Sequence, residues 1–168
     1  MIVSATLPLL LEYGERVTSR QIAEAAGIAE GTIFRAFTDK DELIAAVLEV
    51  ALDQQPLEDA LSAIDPSQSL DGALDAAIAV LQQRVIDIWR LVSSVGTRFH
   101  ERSRRPLTDS HALVRLLELH RDELSVPPLP AGRLLRALTL STTHPMLVDE
   151  PMSPHELRQL FLHGVGRC

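Results

Sequence analysis

Leu70, Leu74, Ile78, Leu81, Val85, Ile88, Val92 and Val95 recur at three- and four-residue steps. At 3.6 residues per turn such steps keep one face of a helix apolar, so the spacing predicts a single long helix from about residue 69 to the high 90s. The same step length returns in Leu113, Leu116, Leu117 and Leu124. It returns again in Leu134, Leu135 and Leu138, opening after Pro127-Pro128-Leu129-Pro130, and in Leu157, Leu160 and Phe161. No segment sustains the period-two alternation of a half-buried strand. The chain has six aromatic residues (Tyr13, Phe34, Phe37, Trp89, Phe99, Phe161), so its core must be mainly Leu, Ala, Val and Ile. Leu and Ala are strong helix formers. The expected fold is all-α.

Several classes of protein fall away on composition. With 168 residues the chain holds one or two domains, and its 46% apolar and 23% charged residues are ordinary for a globular protein rather than a disordered one. Its one cysteine, Cys168, excludes an intrachain disulfide framework and a thiolate metal site. No apolar run reaches the roughly 18 residues of a membrane span. No Lys or Arg precedes Arg16, so the basic start of a signal peptide is missing. The expectation is a cytoplasmic protein. No Gly-rich phosphate loop and no Gly-x-Ser-x-Gly motif occur. His155-Glu156 opens like a zinc-protease motif, but Gln159 stands where its second histidine belongs. Neither an enzyme, a cofactor nor a metal site is expected. The net charge of −7 argues against a non-specific nucleic-acid binder.

Three helix starts carry their own chemistry. Thr18-Ser19-Arg20-Gln21, Asp39-Lys40-Asp41-Glu42 and Ser153-Pro154-His155-Glu156 each place a side-chain cap three residues before Glu or Gln. Such a cap satisfies amide groups that the first helical turn leaves unpaired. Pro8 falls inside the first helix, where a kink is expected. The chain is densely punctuated before residue 53 and carries longer helices after it. Residues 1–53 are expected to form one domain and residues 54–168 another.

Residues 18–37 read as helix, tight turn, helix. The first helix runs from Ser19 to about Ala26, and Gly27 can take the left-handed conformation that ends it sharply. The second runs from about Glu30 to about Phe37. Two short helices crossing steeply need small side chains where they touch, supplied by Ala23 and Ala26. They also need apolar inner faces, for which Ile22, Ile28, Ile33 and Ala36 fit. Glu30, Gly31, Thr32, Phe34 and Arg35 remain for the outer face. This is the pattern of a helix-turn-helix, whose second helix enters the DNA major groove.

On these residues the N-terminal segment resembles the DNA-binding domain of the TetR family of bacterial transcriptional regulators. The resemblance runs over residues 2–52: Ile2, Ala5, Leu9, Gly14, Val17-Thr18, Ile22-Ala23, Ala26-Gly27-Ile28, Gly31 to Phe37, Lys40 and Leu43. It implies a homodimeric repressor, released from palindromic operator DNA by a small-molecule effector. It also implies DNA-contacting roles for Thr18, Arg20, Glu30, Gly31, Thr32, Phe34, Arg35 and Lys40. Thr18 and Lys40 would meet phosphate, Arg35 groove or backbone, and Gly31 would let the backbone come close. Phe34 stands where the family often has tyrosine. Two departures matter. Ala29 replaces the usual serine cap of the recognition helix. Met1 falls where the family has a basic arm, and residues 1–52 carry four basic and eight acidic side chains. The expectation is either modest DNA affinity or a basic segment preceding Met1.

In the rest of the chain the resemblance is architectural. An effector is expected among the helices of residues 69–143, against Trp89, Phe99 and His100. Arg98 or His100 is its anchor, and simple core packing the alternative for Trp89 and Phe99. Arg98, His100, Arg102, Arg104 and Arg105 form a basic cluster that reads as a solvated helix end and loop, with a second nucleic-acid site the alternative. The last two helices, about 131–143 and 154–164, are expected to form a dimer bundle through Leu134, Leu138, Leu157, Leu160 and Phe161. The competing function is a helical ligand-binding dimer with little or no DNA affinity.

Overall fold

The computed structural model describes residues 1–96, Phe99 and residues 108–164. Among them the fold is all-α, with no strand. The helices, in chain order, are α1 (Ile2–Tyr13), α2 (Ser19–Ala26), α3 (Glu30–Ala36), α4 (Lys40–Ala51), α5 (Gln55–Ser62), α6 (Leu70–Ser94), α7 (His111–Glu118), α8 (Pro128–Thr143) and α9 (Pro154–His163). Single 3₁₀ turns cover Gly14–Arg16 and Arg121–Glu123.

The chain divides into two compact units. The first joins residues 1–53 with the described residues from Ile88 to Phe99. Its core is Leu10, Val17, Ile22, Ala23, Ile33, Leu43, Ile44, Val47 and Leu48, closed by Leu91, Val95 and Phe99. α1 runs on through Pro8, which is exposed. It ends at Gly14, whose φ of 59° and ψ of −142° suit glycine alone among the common residues. A Cβ on Gly14 would stand 2.6 Å from the Ser94 carbonyl oxygen, so the turn after α1 and the end of α6 touch backbone to backbone.

The second unit joins residues 54–87 with 108–164. Leu57, Leu61, Leu70, Leu74, Ile78, Leu81, Leu113, Leu116, Leu117, Leu135 and Leu157 form its core with four buried alanines. Arg158, buried on α9, is tied to α6 by ion pairs to Asp71 and Asp75, the latter at 2.7 Å. The Gln82 amide donates to the Met152 carbonyl at 2.7 Å and to the Thr143 hydroxyl at 3.2 Å. These polar ties fix α6, α8 and α9 to one another where apolar packing alone would allow sliding.

Several boundaries differ from the sequence reading. α8 begins at Pro128, not after Pro130, because the first-turn positions have no intrahelical amide bond for a proline to lose. α7 stops at Glu118, leaving Leu124 beyond a 3₁₀ turn. α6 stops at Ser94, one residue before Val95. The expected box at Asp39 is half formed. Asp39 caps the Glu42 amide at 2.8 Å, while the Glu42 carboxylate accepts from the Thr38 amide instead of that of Asp39. The boxes at Thr18 and Ser153 are complete.

Candidate nucleic-acid interface

The geometry of α2 and α3 is set by their ends. The Thr18 hydroxyl accepts from the Gln21 amide at 3.2 Å, and Gln21 Oε1 accepts from the Thr18 amide at 2.8 Å. Gly27 then closes α2 at φ 66° and ψ 33°. Its amide donates to the Glu24 carbonyl and the Ile28 amide to that of Ala23, which is a Schellman closure. Ala29 gives α3 no side-chain cap. In its place the Ser19 hydroxyl donates to Glu30 Oε1 at 2.5 Å, joining the first residues of the two helices. Nothing in the spacing of Ser19 and Glu30 announced this tie, because it depends on how the helices cross.

α3 buries Ile33 and turns Glu30, Gly31, Phe34 and Arg35 outward, with Thr32 half-buried. Phe34 is 52% exposed. A Cβ on Gly31 would meet nothing within 4 Å, so the backbone there is open to close approach. Ala23 is buried and Ala26 and Ile28 half-buried, but Ala36 is exposed and does not belong to the inner face. Arg20 and Thr18 lie exposed at the start of α2. The Thr18 hydroxyl also donates to Gln21 Oε1 at 2.9 Å, so its proton is engaged locally. Lys40 is half-buried, and its ammonium donates to the carbonyls of Glu15 at 2.7 Å and Val17 at 3.3 Å.

Trp89 is half-buried and Phe99 is 3% exposed, packed in the core of the first unit with Leu91 and Val95. Phe99 is thus a residue of the first unit's core, the packing alternative named for it above. His100 lies outside the described residues, as do Arg98, Arg102, Arg104, Arg105 and Cys168. The second unit instead holds a cavity of about 530 Å³ lined by Thr108, Asp109, Ser110, Leu113, Val114, Leu129, Gly132, Arg133 and Arg136. The Arg133 fork grips Asp109 with two 2.7 Å hydrogen bonds, and this contact holds the Asp109 carboxyl below the usual range. Burial pushes the Arg136 pKa down from its ordinary value, against the opposing pull of Glu58 and Asp109. Arg133 and Arg136 were legible only as a basic pair three residues apart among the leucines of α8.

On the expected dimer face, Leu134 is 50% exposed and Leu138, Leu160 and Phe161 are half-buried. Leu157 is fully buried in the second unit's own core, so it has no surface to offer a second copy. Among the described residues no group of His, Cys, Asp or Glu is placed to hold a metal, and no helix is long and apolar enough to cross a membrane.

Residues 2–47 match the family described as bacterial regulatory proteins, tetR family. Three solved structures share the fold along almost the whole chain. LfrR from Mycobacterium smegmatis, in complex with proflavine, is 19% identical with a TM-score of 0.56, over 99% of this chain and 96% of that one. A TetR family protein from Vibrio parahaemolyticus is 18% identical with a TM-score of 0.51, over 95% and 92%. PfmR from Thermus thermophilus is 19% identical with a TM-score of 0.50, over 99% of each chain. At these identities the structural likeness is one of fold. Residues 2–47 thus form an N-terminal helix-turn-helix domain of the kind found in bacterial regulatory proteins of the tetR family.

Proposed function

We propose that the protein is a homodimeric transcriptional repressor that leaves a palindromic operator when a small molecule binds. The observation that carries this reading is the outward face of α3, where Phe34 and Arg35 stand exposed beside an unobstructed Gly31 on a helix whose first residue is tied to α2. A two-fold dimer would present two such faces about one DNA turn apart, roughly 34 Å. Residues 1–53 would serve DNA and residues 54–168 the effector and the second copy. Thr18, Arg20, Glu30, Gly31, Thr32, Phe34, Arg35 and Lys40 form the proposed contact set. Arg35 has the leading part. Lys40 acts chiefly by holding the carbonyls of Glu15 and Val17. LfrR, solved with proflavine, gives precedent for a small molecule bound by this fold.

The test is a mobility-shift titration with DNA flanking the protein's own gene, against an unrelated duplex of equal length. Sequence-dependent retention that is lost in Arg35→Ala is expected. Equal retention of both duplexes, unaffected by Arg35→Ala, overturns the reading. One observation favours a second reading, a ligand-binding dimer with little DNA affinity. Residues 1–52 have four basic side chains against eight acidic, and Glu30 sits on the outward side of α3. Absence of retention on any duplex, with the dimer intact, selects that reading.

A further inference from the structure

The lining of the second unit's cavity is mixed. Leu113, Val114 and Leu129 give it apolar surface, with Gly132 beside them. Leu113 is fully buried, whereas Leu129 is 39% exposed. Asp109, Arg133 and Arg136 give it charge. Most polar groups there are already engaged. Both Asp109 oxygens accept from Arg133. The Thr108 hydroxyl donates to Gln54, and the Ser110 hydroxyl accepts from the Leu113 amide at 3.2 Å. The nearby Glu58 carboxylate accepts from the Ala112 amide at 2.7 Å and from Gln54 at 3.5 Å. Arg136 differs. Among the described residues its guanidinium donates to the Thr108 carbonyl alone, from Nη1.

We propose that this cavity binds a small amphipathic monocarboxylate, its head group on the Arg136 guanidinium and its apolar body along Leu113, Val114 and Leu129. The volume lies within the roughly 300–1,000 Å³ of small-molecule sites. A guanidinium presents five N–H groups in a planar fork that matches a carboxylate. Arg136 keeps Nε and Nη2 for that purpose. Its partial burial disfavours the cation more than Glu58 and Asp109 favour it, so a carboxylate brought onto the fork would offset that cost. The two carboxylates that feel the same charge, Asp109 and Glu58, have their own donors, so neither closes the fork. A cationic ligand would meet two arginines, Arg133 and Arg136, in the same lining. This proposal gives the chemical class of the effector and rests on the effector reading above only for its consequence at DNA.

Three probes with one alkyl chain separate the possibilities: decanoate, decanol and decylamine, each titrated calorimetrically into the full chain. Decanoate is expected to bind at least about tenfold more tightly than decanol, with decylamine weakest. Arg136→Gln should remove the advantage of decanoate over decanol. Leu129→Glu, at a partly exposed position that tolerates the change, should repel decanoate and leave folding intact. It decides the matter if Arg136→Gln does not fold. Equal binding of decanoate and decanol, preference for decylamine, no binding of any probe, or decanoate affinity unchanged in the variants overturns the proposal. Mobility shifts with and without decanoate separate the two claims. Binding through Arg136 with unchanged DNA retention keeps the site and overturns the effector reading. Retention altered by decanoate equally in wild type and Arg136→Gln does the reverse.

Discussion

The Lys40 ammonium lies 2.7 Å from the carbonyl oxygen of Glu15, and a second donor reaches Val17. The first residue of α4 thereby ties down the turn that leads from α1 into α2. Hydrogen bonds from a charged donor contribute roughly 1.5–3 kcal/mol each where they are shielded from water. Lys40→Met should therefore lower the melting temperature as well as DNA affinity. A variant that melts like wild type while binding DNA poorly would show that Lys40 meets phosphate and does little for the turn.

Arg35 should behave differently. It is exposed near the end of α3 and has no partner to lose on replacement among the hydrogen bonds and ion pairs of the described residues. Arg35→Ala is expected to leave melting unchanged. If the contact is to phosphate, it should also lower the slope of log affinity against log salt by about one. Anisotropy titrations at several salt concentrations measure both.

Two glycines with similar φ separate strain from collision. At Gly27 a Cβ meets nothing within 4 Å, so Gly27→Ala meets only the left-handed penalty, about 1–2 kcal/mol. At Gly14 the same change adds a contact of 2.6 Å with the backbone oxygen of Ser94. Denaturant unfolding should show Gly14→Ala to be clearly the more damaging. Equal losses would mean that the end of α6 gives way freely.

Leu134 tests the proposed dimer face better than Leu157 or Phe161, which the second unit's core needs. Leu134→Glu should raise the dimer dissociation constant at least about tenfold in sedimentation, because an unpaired carboxylate would be buried between copies. Melting of the isolated chain should change little, since the position is half exposed. An unchanged dimer places the interface elsewhere.

Glu58 gives the second unit an acid sensitivity. Burial alone would raise its pKa, but hydrogen bonds from the Ser110 hydroxyl, the Ala112 amide and Gln54, with the charge of His111, bring it below the ordinary glutamate value. A depressed folded-state pKa contributes stability that is fully present above the unfolded value, near about 4.3. That stability is lost as pH falls through the folded one. Glu58→Gln should flatten the fall in stability between about pH 5 and pH 3. Parallel curves for the two proteins would remove Glu58 from the account.

The parts legible in the sequence are those set by neighbouring residues. The boxes at Thr18 and Ser153, the left-handed Gly27 and the outward set on α3 all follow from spacings of a few residues. Features that depend on distant segments were not legible. Glu42 reaches Thr38, Lys40 turns inward to Glu15, and Phe99 joins a core built mostly from the first 48 residues. The cavity is the extreme case. Asp109, Arg133 and Arg136 acquire meaning only once α7 and α8 are packed, whereas Trp89 and Phe99 drew attention by residue type alone.

Because Leu91, Val95 and Phe99 complete the core of the first unit, that unit is not a contiguous stretch of the gene. A peptide ending at Asp53 would lack these three core residues, and should aggregate or stay molten. Chimeras meant to exchange the DNA specificity of such regulators therefore cannot be spliced at residue 53 without preserving the match between the turn at Gly14 and the end of α6. Grafting only the outward side chains of α3 leaves that match untouched and is the safer route to a new operator.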